Sequence, residues 1–599
     1  MKTLRDVLRL LRSNWRALAL FELLFRAATA LALGPLLRLL FDAAMAAQGY
    51  AYLTWENVGS FLLRPLSVVL AVVVVLLLML LAVFELAGVL VVLERGSRGE
   101  EIGLRELLPL AARQSLRALA PRNLGLAAYV LVLVPLVNLG VSTGVVRSLA
   151  MPEFVEEFIY QSGALTLAYG LAVLLLVALL VRWAYALNAF VWEGLDFRQS
   201  LARSVWMGRH RRLRDLLWIV GTQAAVALGA VLVLLLGAGA AAVLAQALSE
   251  RPVVAAVASS LALVPLAFFA VICLALSPAL GYACVSALYL ARVGRHAVPR
   301  ASRRPSRRRA VLAGVTVALG VCACSGLLLA FGPRLLEPLG RGGARVELTA
   351  HRGASLVAPE NTMAAFRKAR EQGADWIELD LQQAADGGVF VSHDARLRRV
   401  SGVDKAAWEL TLDEVRALDA GSRFSPEFAG ERYPTLEEVL AWAKETGMHL
   451  NVELKPTGHE HDLEREVARQ VREAGVGSQC VFASQSYDCL LRLREAAPEL
   501  RRAYVMTLAY GDLCQLDAAD VFSIEETSCT AQLVGYLHDH GREVLAWTVN
   551  DGPNVTRVVE NGADGVITDD VPYARETIVE REGRTPVGVA LDWIAGLLD

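Results

Sequence analysis

The chain has 599 residues, 55% of them hydrophobic, with a mean hydropathy of +0.43 and a formal net charge of −2. That composition excludes a protein that is water-soluble along its whole length, and the balance of 59 Lys and Arg against 61 Asp and Glu gives no general affinity for nucleic acid. Apolar residues concentrate before about residue 332, and the rest is patterned like a soluble domain. At roughly 250 residues that second part is long enough to bury its own core.

In chain order, the first elements are apolar runs of at least about 20 residues, the length of a helix that crosses a bilayer. They occupy residues 17–40, 66–93, 124–146, 164–190, 216–248, 253–290 and 310–331 and predict a membrane domain over residues 1–332 with about seven transmembrane helices. The run 253–290 admits two readings: one tilted helix, or a tight hairpin broken at Ser277-Pro278. Loop charge chooses between them, because Lys and Arg are retained on the cytoplasmic side. The loops 95–122, 198–214 and 292–309 are Arg-rich, whereas 48–63, 147–163 and 249–252 are nearly free of basic residues. The alternation places the N-terminal stretch MKTLRDVLRLLR in the cytoplasm, makes 253–290 a single passage, and puts the soluble domain outside. No cleavable signal peptide is evident in that basic, amphipathic start.

The basic run RVGRHAVPRASRRPSRRR is then a topology anchor between two spans rather than a nucleic-acid site. Glu22 and Arg26, one helical turn apart inside the first span, form either an internal ion pair or part of a transport path. Of the eight cysteines, Cys273, Cys284, Cys322 and Cys324 fall in spans and Cys480, Cys489, Cys514 and Cys529 in the soluble domain; no spacing among them suits zinc.

Eight β-branched runs follow, VELTA, WIELD, LNVEL, CVFAS, RRAYVM, VFSIE, EVLAWTV and GVITD, with amphipathic segments between most of them. Strands alternating with helices over this length predict a (β/α)8 TIM barrel across residues 343–582, with residues 583–599 as a tail. A ninth run, VFVSH, is only AADGG away from WIELDLQQ, too short for a parallel crossover. It predicts the return arm of a hairpin turning at Asp386, Gly387 and Gly388, which carries His393 over the barrel mouth.

Strand periodicity sorts the polar groups. Glu378 and Asp380 leave one face of a strand, and Glu453 and Lys455 leave one face of another. Carboxylates at the C-terminal ends of barrel strands converge where barrel active sites form, and three together need a cation. Oxygen ligands without cysteine favour a hard divalent ion, Mg²⁺ or Ca²⁺. Lys455 and Arg352 supply fixed positive charge for phosphate oxygens. His351 and His393 can carry protons near neutral pH, whereas His449, His459, His461, His538 and His540 lack such company.

The ordered set HRG, PENT, ExD, HD, YPTLEEVL, ELK, WTVN and DGVITD, from about Glu347 to Thr577, resembles the glycerophosphodiester phosphodiesterase family. The N-terminal part resembles the multi-span region fused to such enzymes in some bacteria. The resemblance implies Glu378, Asp380 and Glu453 as metal ligands, His351 and His393 as the acid/base pair, and Arg352 and Lys455 as phosphate contacts. It further implies Glu360 of PENT as a site-lining glutamate and Trp547 as an aromatic wall for glycerol. Two departures fall on substrate contacts: LRRVSG at 397–402 stands where the family tends to have arginine and two threonines, and Ser486-Tyr487 stands for Ser-Phe. The implied reaction is metal-dependent hydrolysis of a glycerophosphodiester to glycerol 3-phosphate and an alcohol, the glycerol 2-hydroxyl attacking first to give a cyclic phosphate that water then opens. Lysophospholipids or polyglycerophosphate polymers are alternative substrates for a barrel held at a lipid bilayer. A catalytically inactive receptor or transporter module is the reading from a different class.

Overall fold

The computed structural model describes residues 2–130, 163–209, 211–247, 252–298 and 346–582. They form two compact units, one of helices and one that joins Met45–Arg64 to the barrel. The expected span at 310–331, most of that at 124–146, and the tail 583–599 lie outside the described residues.

Among the described residues, four helices are long and apolar enough to cross a membrane: Trp15–Ala47, Pro65–Ser97, Gly163–Trp192 and Arg212–Ala241. Pro252–Arg292 is a single helix that runs through Pro265 and Pro278, so Ser277-Pro278 does not break it into a hairpin. A proline removes one backbone hydrogen bond, which an otherwise apolar helix of this length tolerates as a local kink. Buried Glu22 lies 3.6 Å from Arg26, which lies 3.8 Å from buried Glu85. Charges removed from water are thus paired with one another.

In the second unit, β1 (Tyr52–Leu53) precedes the barrel strands β2 (Glu347–Ala350), β3 (Trp376–Gln383), β5 (His449–Leu454), β6 (Cys480–Ser484), β7 (Arg501–Met506), β9 (Val521–Glu525), β10 (Glu543–Trp547) and β11 (Gly565–Thr568). The eight barrel strands are parallel and close through β2–β3 pairing, in the order β2-β3-β5-β6-β7-β9-β10-β11. Each step to the next is long enough for a returning segment, mostly a helix such as Leu436–Thr446, Leu463–Ala474 or Tyr487–Ala496. Those three helices begin at Thr435, Asp462 and Ser486; Thr435 and Ser486 accept a hydrogen bond from the first turn. Their apolar faces (Val439, Leu440, Val467, Val471, Leu490, Leu493) are fully buried against outward strand residues such as Leu379, Val452 and Phe482.

The hairpin is present as expected. β4 (Val389–Val391) pairs antiparallel with the end of β3, Leu381 opposite Val391 and Gln383 opposite Val389. Its turn places Gly387 at φ +85°, a conformation that costs glycine nothing. Cys480, Cys489, Cys514 and Cys529 are free thiols, three of them buried.

Candidate active site

Register brings the acidic residues together. β3 and β5 pair in parallel with Glu378 opposite Asn451 and Asp380 opposite Glu453, so side chains two apart on each strand stand side by side at the C-terminal end of the barrel. Carboxylate oxygens of Glu378, Asp380 and Glu453 all lie within 4.8 Å of one another, and all three residues are buried. Lys455 reaches over them from the residue after β5, its Nζ 3.2 Å from both Asp380 and Glu453.

Crowded charge sets the titration of this group. Burial, then the negative charges of Asp380 and Glu453, push Glu378 up to about 8 against the pull of His351 and Arg352. Burial works the same way on Asp380, but Lys455, His393 and Arg352 and a hydrogen bond from Asn361 outweigh it and hold its carboxyl below the ordinary range. Lys455 is desolvated too, yet Glu453, Asp380 and Glu378 keep its ammonium firmly protonated.

Backbone conformation brings the HRG and PENT segments onto the trio. Arg352 and Asn361 both sit at positive φ, +58° and +56°. Arg352 N–H donates to Glu378 Oε2 at 2.8 Å, and Asn361 clamps Asp380 twice, donating to Oδ2 at 2.8 Å and accepting from its N–H at 3.2 Å. The left-handed turns therefore aim donors at two of the three carboxylates, which is the return for the strain they carry.

The histidines reach the cleft from two different segments. His351 follows β2, and its Nδ1 lies 2.8 Å from Asp569 Oδ1; Asp569 is itself held by Asn550 at 2.7 Å and Ser355 at 3.2 Å. A ring nitrogen bonded to a carboxylate is the N–H of the neutral tautomer, so Nε2 is left to exchange a proton. Burial opposes protonation of His351, but Asp569 and Glu378 outweigh it and raise its pKa. His393, delivered by the hairpin, has Nδ1 2.8 Å from Asp394. Arg399 donates to Asp394 at 2.7 Å and to both oxygens of Glu360 at 2.7 and 2.6 Å, and Glu360 accepts from Arg352 at 3.2 Å. This chain links His393 to Arg352 through three alternating charges, Asp394, Arg399 and Glu360.

The cleft, open to solvent, spans about 450 Å³ and is lined by His351, Arg352, Glu378, Asp380, His393, Glu453, Lys455 and Trp547, among others. Trp547 is fixed by its indole N–H donating to the Ser523 carbonyl at 3.0 Å. Eight of the nine singled-out residues therefore meet in one cleft. Glu360 is the ninth; it is absent from the lining and holds Arg352 and Arg399 instead. Of the other histidines, His459 stacks on Trp408 and His538 pairs with Asp564, neither in the cleft lining. Sequence reasoning passed over Asp569, Arg399, Asn361 and Asn451. Asp569 ends DGVITD and Asn361 sits in PENT, so both motifs held the signal. Arg399 lies in LRRVSG, whose departure from the family pattern leaves this arginine in place.

Two family models match the chain: the glycerophosphoryl diester phosphodiesterase family over residues 351–572, and the membrane domain of glycerophosphoryl diester phosphodiesterase over residues 4–318. A Bacillus subtilis protein provisionally named glycerophosphodiester phosphodiesterase YhdW is 35% identical, across 37% of this chain and 93% of its own length. A glycerophosphodiester phosphodiesterase of Caldanaerobacter subterraneus is 32% identical across 39% of this chain and 98% of its own. Among solved structures, an Oleispira antarctica phosphodiesterase in complex with the product sn-glycerol-3-phosphate is 31% identical, covers 39% of this chain and 96% of that one, and has a TM-score of 0.36.

Proposed function

Because this chain belongs to the glycerophosphoryl diester phosphodiesterase family, we propose that its barrel hydrolyses glycerophosphodiesters to sn-glycerol 3-phosphate and an alcohol with one bound divalent cation. The observation that carries this is the buried trio Glu378, Asp380 and Glu453, in which Lys455 pairs with Asp380 and Glu453 while burial and its neighbours' charge still push Glu378 up.

The residues fit such an ion. Asn451, on the same face of β5 as Glu453, is buried, lines the cleft, and has an Oδ1 with no hydrogen-bond partner among the described residues. Oxygen donors alone suit Mg²⁺ or Ca²⁺. When bound, the cation supplies Lewis-acid polarisation of the phosphoryl group and offsets charge that develops there. Lys455 and Arg352 are placed to hold non-bridging phosphate oxygens, each already fixed by carboxylates that keep it charged. His351 and His393, reaching the cleft from two different segments, divide the two proton transfers: one takes the proton of the attacking glycerol 2-hydroxyl and the other gives one to the leaving alkoxide, after which water opens the cyclic phosphate to glycerol 3-phosphate. Trp547 offers an apolar wall to the glycerol carbons. Phosphorus-31 NMR tests the bond cleaved: glycerophosphocholine should yield glycerol 3-phosphate, and phosphocholine with free glycerol would sink the reading.

We also propose that the chain is anchored through about seven helices in residues 1–332, with the N-terminus cytoplasmic and the barrel of residues 343–582 outside. Alternating Arg-rich loops support it. So does the second compact unit, because Met45–Arg64 connects two candidate spans, Trp15–Ala47 and Pro65–Ser97, yet groups with the barrel. A loop and a domain that fold together share one side of a membrane. In intact spheroplasts, a membrane-impermeant maleimide should label an Asp404→Cys variant, at an exposed barrel position, and leave an Arg98→Cys variant unlabelled. The reverse pattern would place the barrel in the cytoplasm.

A further inference from the structure

Residues Met45–Arg64 are a short, firmly built segment. Thr54 caps the helix Trp55–Leu62, with Asn57 Oδ1 accepting from the Thr54 N–H at 2.9 Å, and Leu53, Thr54 and Phe61 are buried. Tyr50 packs edge-on against Phe61, and the Arg64 guanidinium lies 5.2 Å from the Tyr50 ring. The segment packs Tyr52 against the barrel core and is tied to the barrel at three further places.

First, β1 pairs antiparallel with β8 (Tyr510–Gly511), the strand just after β7, and Asp512 N–H donates to the Ala51 carbonyl at 2.9 Å. Gly511 sits at φ +89°, and a Cβ there would stand 2.5 Å from the Ala51 carbonyl oxygen. Only glycine permits this approach. Second, the Glu56 carboxylate accepts from the backbone N–H of Tyr487 at 3.2 and 3.4 Å. Tyr487 is the first residue of the helix Tyr487–Ala496, where unpaired amides and the helix dipole favour an anion. Third, Glu56 accepts from the buried Tyr504 hydroxyl at 3.0 Å, and the Tyr487 and Tyr504 rings meet edge to face at 5.4 Å.

Those attachment points lie next in sequence to the cleft lining, with Tyr504 on the face of β7 opposite Val505. Tyr504 precedes Val505, and Tyr487 is two residues past Gln485; Val505 and Gln485 both line the cavity that holds the carboxylate trio. β6 and β7 stand on the side of the closed barrel away from β2, which carries His351. One carboxylate thus ties the start of the helix after β6 to β7, the two elements beside the wall opposite His351.

We propose that Met45–Arg64 is a lip of the catalytic mouth and that Glu56 is a positioning residue, holding the Gln485 and Val505 wall in place for the substrate's alcohol portion. The inference rests on the phosphodiesterase reading above and adds to it a contribution from the part of the chain that lies between candidate membrane helices. It makes the catalytic unit discontinuous in sequence.

Steady-state kinetics of the full-length protein in detergent micelles, with glycerophosphocholine as the probe, test it. Glu56→Ala should raise KM about tenfold and leave kcat within about twofold, the split expected when a substrate wall loosens while the reacting groups stay fixed. Glu56→Gln, which keeps the shape and a neutral acceptor, should fall between. Tyr504→Phe should raise KM less, and the Glu56→Ala/Tyr504→Phe double variant no more than Glu56→Ala alone, because both remove one interaction. Gly511→Val, which detaches β1 through its own backbone, should reproduce the KM effect. Wild-type turnover with KM unchanged in folded Glu56→Ala and Gly511→Val proteins would overturn this inference alone. A wild-type protein that neither binds nor cleaves a glycerophosphodiester would overturn the phosphodiesterase reading and this one with it.

Discussion

Replacing His351 or His393 with alanine is expected to lower kcat by about 10²–10⁴-fold, the range for losing one positioned proton carrier, without unfolding the barrel. The structure explains why the fold should survive. Removing His351 leaves Asp569 with its donors from Asn550 and Ser355, and removing His393 leaves Asp394 with Arg399. Neither change strands a buried charge, the usual cause of a large stability loss. The two losses should not add: once one proton transfer is disabled, the other no longer limits in the same way, so the double variant should fall little below the worse single one. Rates within about threefold of wild type in either single variant, in a protein with an unchanged thermal midpoint, would remove the histidines from the mechanism.

Cation binding should stabilise the barrel, and more so as the pH rises. Glu378 titrates near 8 in the fold against 4.5 ordinarily, raised by burial and by Asp380 and Glu453. The sign follows from linkage: a carboxyl with a raised pKa in the folded state favours folding fully below its unfolded pKa of 4.5. That contribution is lost progressively as the pH climbs towards about 8. A divalent cation takes the place of the proton, so it should bind weakly near pH 5 and tightly near pH 8. At a hundredfold excess over Kd it would add about 2.7 kcal/mol. Thermal unfolding with Mg²⁺, with Ca²⁺ and with EDTA at several pH values reads this directly. Glu378→Gln should flatten both the pH dependence and the cation effect; a cation shift that is constant with pH, or undiminished in Glu378→Gln, would contradict a carboxylate site.

Much of the barrel was legible because its signals are local. Eight β-branched runs separated by amphipathic segments give the strands, and a five-residue gap before VFVSH is enough to require a hairpin. Spacing by two places Glu378 with Asp380, and Glu453 with Lys455, on single faces. Three things were not legible, each for a physical reason. The partnership of Glu360 with Arg399 depends on where a loop returns in space. Periodicity cannot show whether a carboxylate near a cleft faces it or stands behind it. The roles of Asp569 and Asn361 rest on backbone turns, including a left-handed residue at Asn361, that carry no hydropathy pattern. The grouping of Met45–Arg64 with the barrel depends on pairing across more than 400 residues, Glu56 with Tyr487 and Tyr504, which no local rule encodes. Hydropathy alone could not tell a hairpin from a single helix at Ser277-Pro278, because a proline interrupts one hydrogen bond and not the apolar stretch; loop charge chose the single passage, which is the helix Pro252–Arg292.

The central claim is that a cation-loaded carboxylate trio on a TIM barrel cleaves a glycerophosphodiester. It is tested most directly by measuring sn-glycerol 3-phosphate release from glycerophosphocholine by the full-length protein after EDTA treatment, then after adding back Mg²⁺ or Ca²⁺, beside Glu378→Ala. Release that vanishes with EDTA, returns with one of the two ions, and stays absent in Glu378→Ala is the predicted result. Full release in EDTA, or an active Glu378→Ala protein, would contradict it.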